Sequence, residues 1–213
     1  METDIDDEER MYRSQMRFVE EWRDKSETRF LRYGALGLSV LTAACSVAVT
    51  AHYRSVLRLR SHGLITALAP AMAIPAASVG VTHHVLVVRD LLLFETPCPV
   101  CVNLRAVGIQ LGFSVLLPVV MGTISNFHLA ERKLTYPLPP LAQDPRTWAA
   151  TWRTLSRPLA RPLAVMAALN AVCAAFVTHR EATEFYTLLE KQQREERWRK
   201  LNAEQCQEPP DLQ

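Results

Sequence analysis

Polar and apolar positions are segregated along this chain. Four runs free of charged residues, 33–51, 63–82, 106–127 and 162–178, alternate with connectors rich in arginine. At about 1.5 Å per helical residue each run is long enough, or nearly so, to cross a hydrocarbon core of roughly 30 Å. A core helix of a water-soluble protein keeps one polar face, whereas these runs are apolar on every side. The pattern therefore predicts an all-α protein, a four-helix transmembrane bundle in which lipid solvates the spans.

The charged segments outside the runs also read as helix. Residues 8–32 mix Met11, Phe18, Val19, Trp22, Phe30 and Leu31 with charges of both signs and contain neither Gly nor Pro. That composition predicts an amphipathic N-terminal helix, lying on the membrane or on a partner, within a segment 1–32. After the bundle, 33–178, comes a segment 179–213 whose part 180–205 also lacks Gly and Pro. There Glu190/Arg194, Glu195/Arg199 and Glu196/Lys200 stand at i,i+4 in the favourable order, so the last span should continue as a charged C-terminal helical extension. Phe185, Leu188, Leu189, Trp198 and Leu201 give it an apolar stripe, suited either to its own bundle or to a partner.

Mean hydropathy is near zero, +0.01, but it averages oily spans with charged tails. With four spans in 213 residues there is room for one bundle and no separate catalytic domain. The N-terminus opens with Asp4, Asp6, Asp7, Glu8 and Glu9, where a cleaved secretory or mitochondrial leader would be basic. Lys and Arg flank the spans equally on both sides, so charge gives no orientation. Four spans place both termini and the connector 88–105 on one side.

Within the spans, Gly108 and Gly112 form a GxxxG pair, and Ala167, Ala171 and Ala175 a small-residue ladder, both suited to close helix packing. Pro70 and Pro75 interrupt the second span and Pro118 the third, each removing a backbone donor. Gln110, Asn126 and Asn170 are expected to make interhelical hydrogen bonds, and His83 and His84, at a span end, to reach interfacial water. No metal site and no cofactor are expected.

One motif carries chemical potential: Pro97-Cys98-Pro99-Val100-Cys101 at the mouth of the third span. Cys98 and Cys101 are a candidate disulfide, and a thiolate at a helix N-terminus is favoured by the helix dipole. A redox enzyme would need a second thiol pair, but Cys45, Cys173 and Cys206 are scattered. Half a zinc site would need a second CxxC or a His pair, and haem attachment would need His where Val102 stands. A staple or two free thiols is the simplest reading.

On both sides of this connector the chain resembles the transmembrane protein 126 family. The likeness runs over roughly 54–189, through Ala71-Met72-Ala73-Ile74-Pro75, the CPVC motif, Leu117-Pro118-Val119, Leu129-Ala130-Glu131-Arg132, Tyr136-Pro137-Leu138-Pro139-Pro140 and Trp152-Arg153-Thr154-Leu155-Ser156-Arg157-Pro158. Order and spacing carry it, not any single landmark. The resemblance implies a multi-pass protein of the mitochondrial inner membrane that performs no chemistry and assists assembly of respiratory complex I. It also implies partners among complex I membrane-arm subunits and other assembly factors, with the inner-membrane insertase for one paralogue and the mitochondrial intermediate assembly complex for the other. The CxxC is similar to the first paralogue and the Tyr136 stretch to the second. The two long charged tails depart from both.

Residues 129–161 carry six basic residues against two acidic ones and include Pro137, Pro139, Pro140, Pro145, Trp148 and Trp152. This connector is expected to be irregular and to lie in the headgroup region. Arg132, Lys133, Trp148, Trp152, Arg153, Arg157 and Arg161 would there contact a partner or anionic lipid such as cardiolipin. No nucleic-acid partner is expected. The rival from another class is a membrane thiol-disulfide oxidoreductase of the vitamin K epoxide reductase type, with Cys98 and Cys101 as its working pair.

Overall fold

A computed structural model describes the backbone of residues 2–94, 98–137 and 144–207, and side chains within these from 7 to 202. Every described element is helical. α1 is Glu2–Glu21, α2 Arg29–Val56, α3 Leu64–Leu92, α4 Pro99–Lys133, α5 Pro145–Ser156 and α6 Ala160–Gln207. Four segments, ending with the one that includes α6, are long and apolar enough to cross a membrane. The protein is a multi-pass membrane protein built as an all-α bundle.

The helices outrun the charge-free runs, because hydropathy marks where lipid lies and not where backbone hydrogen bonding stops. α3 continues to Leu92 and α4 starts at Pro99, so the connector expected at 88–105 shrinks to a few residues. Arg89, Asp90 and Arg105 stand on helical turns, with Arg105 ion-paired to Asp90 and donating to the Leu86 carbonyl at 2.9 Å. α3 runs through Pro70 and Pro75 and widens into a π turn at His84–Val88. α4 widens likewise at Gly112–Leu116, just before Pro118. There the Leu117 N–H reaches back to the Gly112 carbonyl, loosening the turn into which the proline ring would otherwise press.

The N-terminal segment is not one helix. Despite the lack of Gly and Pro, α1 ends at Glu21, and the Asp24 carboxylate accepts from the backbone N–H of Ser26 at 2.9 Å and from its hydroxyl at 2.7 Å. These bonds open a 3₁₀ turn, Lys25–Thr28, ahead of α2, and they hold the Asp24 carboxyl below its ordinary range. The described part of the connector 129–161 is also more ordered than expected. Asp144 caps α5 by accepting from the Thr147 N–H at 3.1 Å, and Pro145 occupies the first helical position, where its missing donor costs nothing. Leu138, Pro139, Pro140 and the C-terminal 208–213 lie outside the described residues.

The bundle is held chiefly at its two ends. At the end bearing the termini, Val19 of α1, Leu31 of α2, Val88, Leu91 and Leu92 of α3, and Phe185 and Leu188 of α6 form one buried cluster, with Leu189 packed against it. α1 thus docks on its own bundle. Its Tyr12 hydroxyl meets His84 Nε2 at 2.7 Å, Glu8 pairs with Arg89 at 3.7 Å, and Arg32 donates to the Val19 and Glu20 carbonyls that α1 leaves open. At the opposite end, Val49, Tyr53, Leu57, Leu59, Phe127, Ala130 and Leu159 are buried together. Arg54, itself buried, donates to the carbonyls of Arg60 at 2.8 Å and His62 at 2.9 Å, pinning a loop that turns through positive φ at Arg58, Arg60 and Gly63.

Candidate functional site

Between those ends the span interior is narrow, and polar side chains join the helices. Gln110 of α4 donates through Nε2 to Asn170 Oδ1 of α6 at 2.7 Å and to Thr42 Oγ1 of α2 at 3.1 Å. Asn170 in turn donates to Cys45 Sγ at 3.2 Å and to the Met166 carbonyl at 2.8 Å. Three helices therefore meet at one junction, as expected for Gln110 and Asn170. In lipid this matters, because apolar side chains gain little by leaving hydrocarbon, and each such bond contributes roughly 1 kcal/mol. Asn126 differs from expectation: its amide donates within its own helix, to the Gly122 carbonyl at 2.7 Å, since the neighbouring α2 face there is Val49 and Tyr53.

A second polar contact was not foreseen. His83 of α3 and Glu181 of α6 are both fully buried, with His83 Nε2 3.0 Å from Glu181 Oε2. His83 does not reach interfacial water. Three residues beyond Glu181, Glu184 accepts from the N–H groups of Phe30 and Leu31 at 3.0 and 3.1 Å, capping α2 from another helix. The one sequence signal was registry: Glu181 continues the helical series Asn170, Ala174 and Thr178, all buried.

Cys98 and Cys101 are free thiols. Cys98 caps α4 with Pro99 at the first helical position, and its carbonyl accepts from the Cys101 N–H at 3.1 Å. The Cys101 side chain hydrogen-bonds to Cys98, which lowers the Cys98 thiol from its ordinary value, with backbone N–H groups adding to the effect. Of the other described cysteines, Cys45 is buried and Cys173 half-buried within the spans. Among the described residues, no three His, Cys, Asp or Glu side chains converge as a metal site requires.

The small-residue positions divide. Ala174, not Ala175, is the fully buried alanine of α6, while Ala167, Ala171 and Ala175 flank it half-buried. Gly108 and Gly112 do not bring two helices of this chain together. A Cβ at either would meet nothing within 4 Å, because α4 turns Val102, Ala106 and Gln110 inward and leaves these glycines on its outer side. Leu104, Leu116, Val120 and Ile124 are exposed on α4 as well. On α6, Val165, Leu169, Val172 and Phe176 form an exposed stripe, and in the last membrane segment only 11% of the most apolar window is covered by protein.

The basic connector folds onto the bundle through its aromatic residues. Trp148 and Trp152 turn inward onto the buried end cluster, Trp148 against the Phe127 ring, and Trp152 Nε1 donates to Thr123 Oγ1 at 3.0 Å. The Trp152 indole N–H is thus satisfied within the protein. Arg132, Lys133, Arg153, Arg157 and Arg161 remain exposed. Of the apolar stripe on the extension, Phe185, Leu188 and Leu189 pack inward, whereas Trp198 and Leu201 stay exposed. Glu195 and Arg199 form the expected pair at 3.8 Å.

No solved structure matches this chain. The fruit-fly (Drosophila melanogaster) protein named Transmembrane protein 126 is 28% identical over 183 residues, which is 85% of this chain and 82% of that protein. The family model described as Transmembrane protein 126 matches residues 11–196, from the middle of α1 to the exposed part of α6. That match takes in every span, both end clusters and both polar contacts, and the chain belongs to the transmembrane protein 126 family.

Proposed function

We propose that this protein is a non-enzymatic assembly factor of the mitochondrial inner membrane that holds membrane subunits of respiratory complex I while they are built in. Its partners in this reading are membrane-arm subunits and other assembly factors, with the insertase among them. The observation that carries the proposal is the division of the spans into a polar-bonded interior and an unpaired outer face. Gly108 and Gly112 on α4 and the Val165–Phe176 stripe on α6 lack a helix neighbour within this chain. A new membrane subunit exposes helix faces that mispair. A small-residue face can cover them through close, exchangeable packing without a strong apolar drive, which suits a temporary partner. The exposed arginines around α5 suit anionic lipid such as cardiolipin at that surface.

Affinity purification from digitonin-solubilised mitochondria tests this directly. Wild-type chain should bring down complex I membrane subunits and assembly factors, and Gly108→Leu/Gly112→Leu should lose them while the bundle remains folded. An eluate without complex I components refutes the reading.

One observation supports a thiol oxidoreductase: the hydrogen-bonded Cys98 and Cys101, with the Cys98 thiol lowered. Against it, the other described cysteines lie within the spans and supply no second pair. Cys98→Ser/Cys101→Ser should leave complex I assembly intact, whereas an enzyme of that class would be inactivated.

A further inference from the structure

We infer that the groove between the N-terminal end of α2 and the middle of α6 is a binding site for one anionic phospholipid. The groove encloses about 580 Å³. Lys25 and Arg29 form its rim, Phe30, Tyr33 and Val177 its walls, and Gly34 and Gly37 its floor. Arg180 adds a third positive charge beside the rim, its guanidinium 5.4 Å from the centre of the Phe30 ring.

The polarity changes along the groove as it does along a lipid. The cations sit just outside the charge-free runs, which begin at Tyr33 and end at Thr178, so they lie at headgroup depth. The glycines and Val177 lie within those runs, at the depth of the upper acyl chain. Gly37 leaves open space where a side chain would stand, since a Cβ there meets nothing within 4 Å.

The acidic groups near the rim have other partners. Asp24 accepts from Ser26, Glu27 binds Lys191 and the Trp22 indole, and Glu184 caps the Phe30 and Leu31 N–H groups. Lys25 and Arg29 are exposed and have no ion-pair partner among the described residues. The helix end itself offers an anion little, because Glu184 already takes two of its N–H groups. Recognition therefore rests on side-chain charge above and acyl-chain fit below. A phosphodiester headgroup supplies the first and a fatty chain the second. This site lies at the opposite end of the bundle from the arginines around α5, and it stands whether or not the chain serves complex I.

The test uses the full chain in nanodiscs of equal dioleoyl phosphatidylglycerol and dioleoyl phosphatidylcholine, with retained lipid counted by native mass spectrometry. Wild type should keep one phosphatidylglycerol in preference to phosphatidylcholine. Lys25→Gln/Arg29→Gln should cut that preference on the order of thirtyfold, from two surface cations. Gly37→Leu, which fills the floor and keeps the charge, should abolish retention of either lipid with an unchanged unfolding temperature. Equal retention of the two lipids by wild type overturns the inference, as does full retention by Gly37→Leu. If millimolar inorganic phosphate strips the lipid, the rim is a simple anion site and the inference is again overturned.

Discussion

Gly34 and Gly37 stand one turn apart on α2, yet replacing each by alanine should have opposite effects. A Cβ on Gly34 would sit 2.8 Å from Val177 Cγ1 and closer still to Glu181 Oε1, inside the space that lets Glu181 meet His83. Forcing a methyl group into a packed site costs about 1–3 kcal/mol. Displacing the carboxylate leaves His83 without its partner in a dry site, for about 1–3 kcal/mol more. Alanine's better helix propensity returns about 0.5–1 kcal/mol. The expected net loss for Gly34→Ala is about 1–5 kcal/mol, centred on about 3 kcal/mol. Gly37→Ala meets no neighbour, so it should be neutral or gain about 0.5–1 kcal/mol. Tryptophan fluorescence during heating in dodecyl maltoside micelles gives the readout. At about 2–4 °C per kcal/mol for a chain of this size, a loss of about 3 kcal/mol should make Gly34→Ala melt roughly 6–12 °C below wild type. A cycle with Glu181→Ala isolates the cause, since removing the carboxylate should make Gly34→Ala much cheaper. Equal melting of Gly34→Ala and wild type, or an additive cycle, refutes the reasoning.

Arg54→Met should release loop 57–63 by deleting donors to the Arg60 and His62 carbonyls, at about 2–4 kcal/mol; amide exchange should rise there and not in α1. The Asp144 carboxyl is held below its ordinary value by hydrogen bonds from Thr147, so its capping contribution is present above the unfolded pKa of about 3.9 and is lost as pH falls through the lower folded value. Exchange in α5 should therefore rise in acid, and Asp144→Ala should show the same rise already at pH 7. Because hydrogen bonding from Cys101 lowers the Cys98 thiol, iodoacetamide at pH 7 should label Cys98 well before buried Cys45, and faster than an unfolded cysteine after correction for exposure. Equal labelling rates for Cys98 and Cys45 would contradict that account.

The spans were legible because charge is excluded from hydrocarbon over many consecutive residues, a signal that needs no tertiary information. Helix ends were not, because they depend on local hydrogen bonds. The break before α2 rests on Asp24 turning back to Ser26, in a stretch without Gly or Pro. Gln110 and Asn170 were readable as interhelical donors, since a strongly polar group in a span has few other uses. Glu181 was not, because it follows the last charge-free run and its partner lies 98 residues away. Gly108 and Gly112 show the converse limit. The GxxxG spacing states that close approach is allowed, and only the fold shows that no helix of this chain takes the place. Trp148 and Trp152 suited a headgroup layer by composition, but the amphipathic face of α5 carries them onto Phe127 and Thr123.

The account depends on lipid solvating the outer face of the bundle. Photolabelling in nanodiscs with phospholipid bearing a diazirine on its acyl chain reports that contact residue by residue. Label should fall on exposed positions such as Leu36, Val40, Leu169 and Phe176, and pass over buried Leu38, Val49 and Ala174. Label spread equally over both sets, or missing from the exposed one, would contradict a lipid-facing bundle.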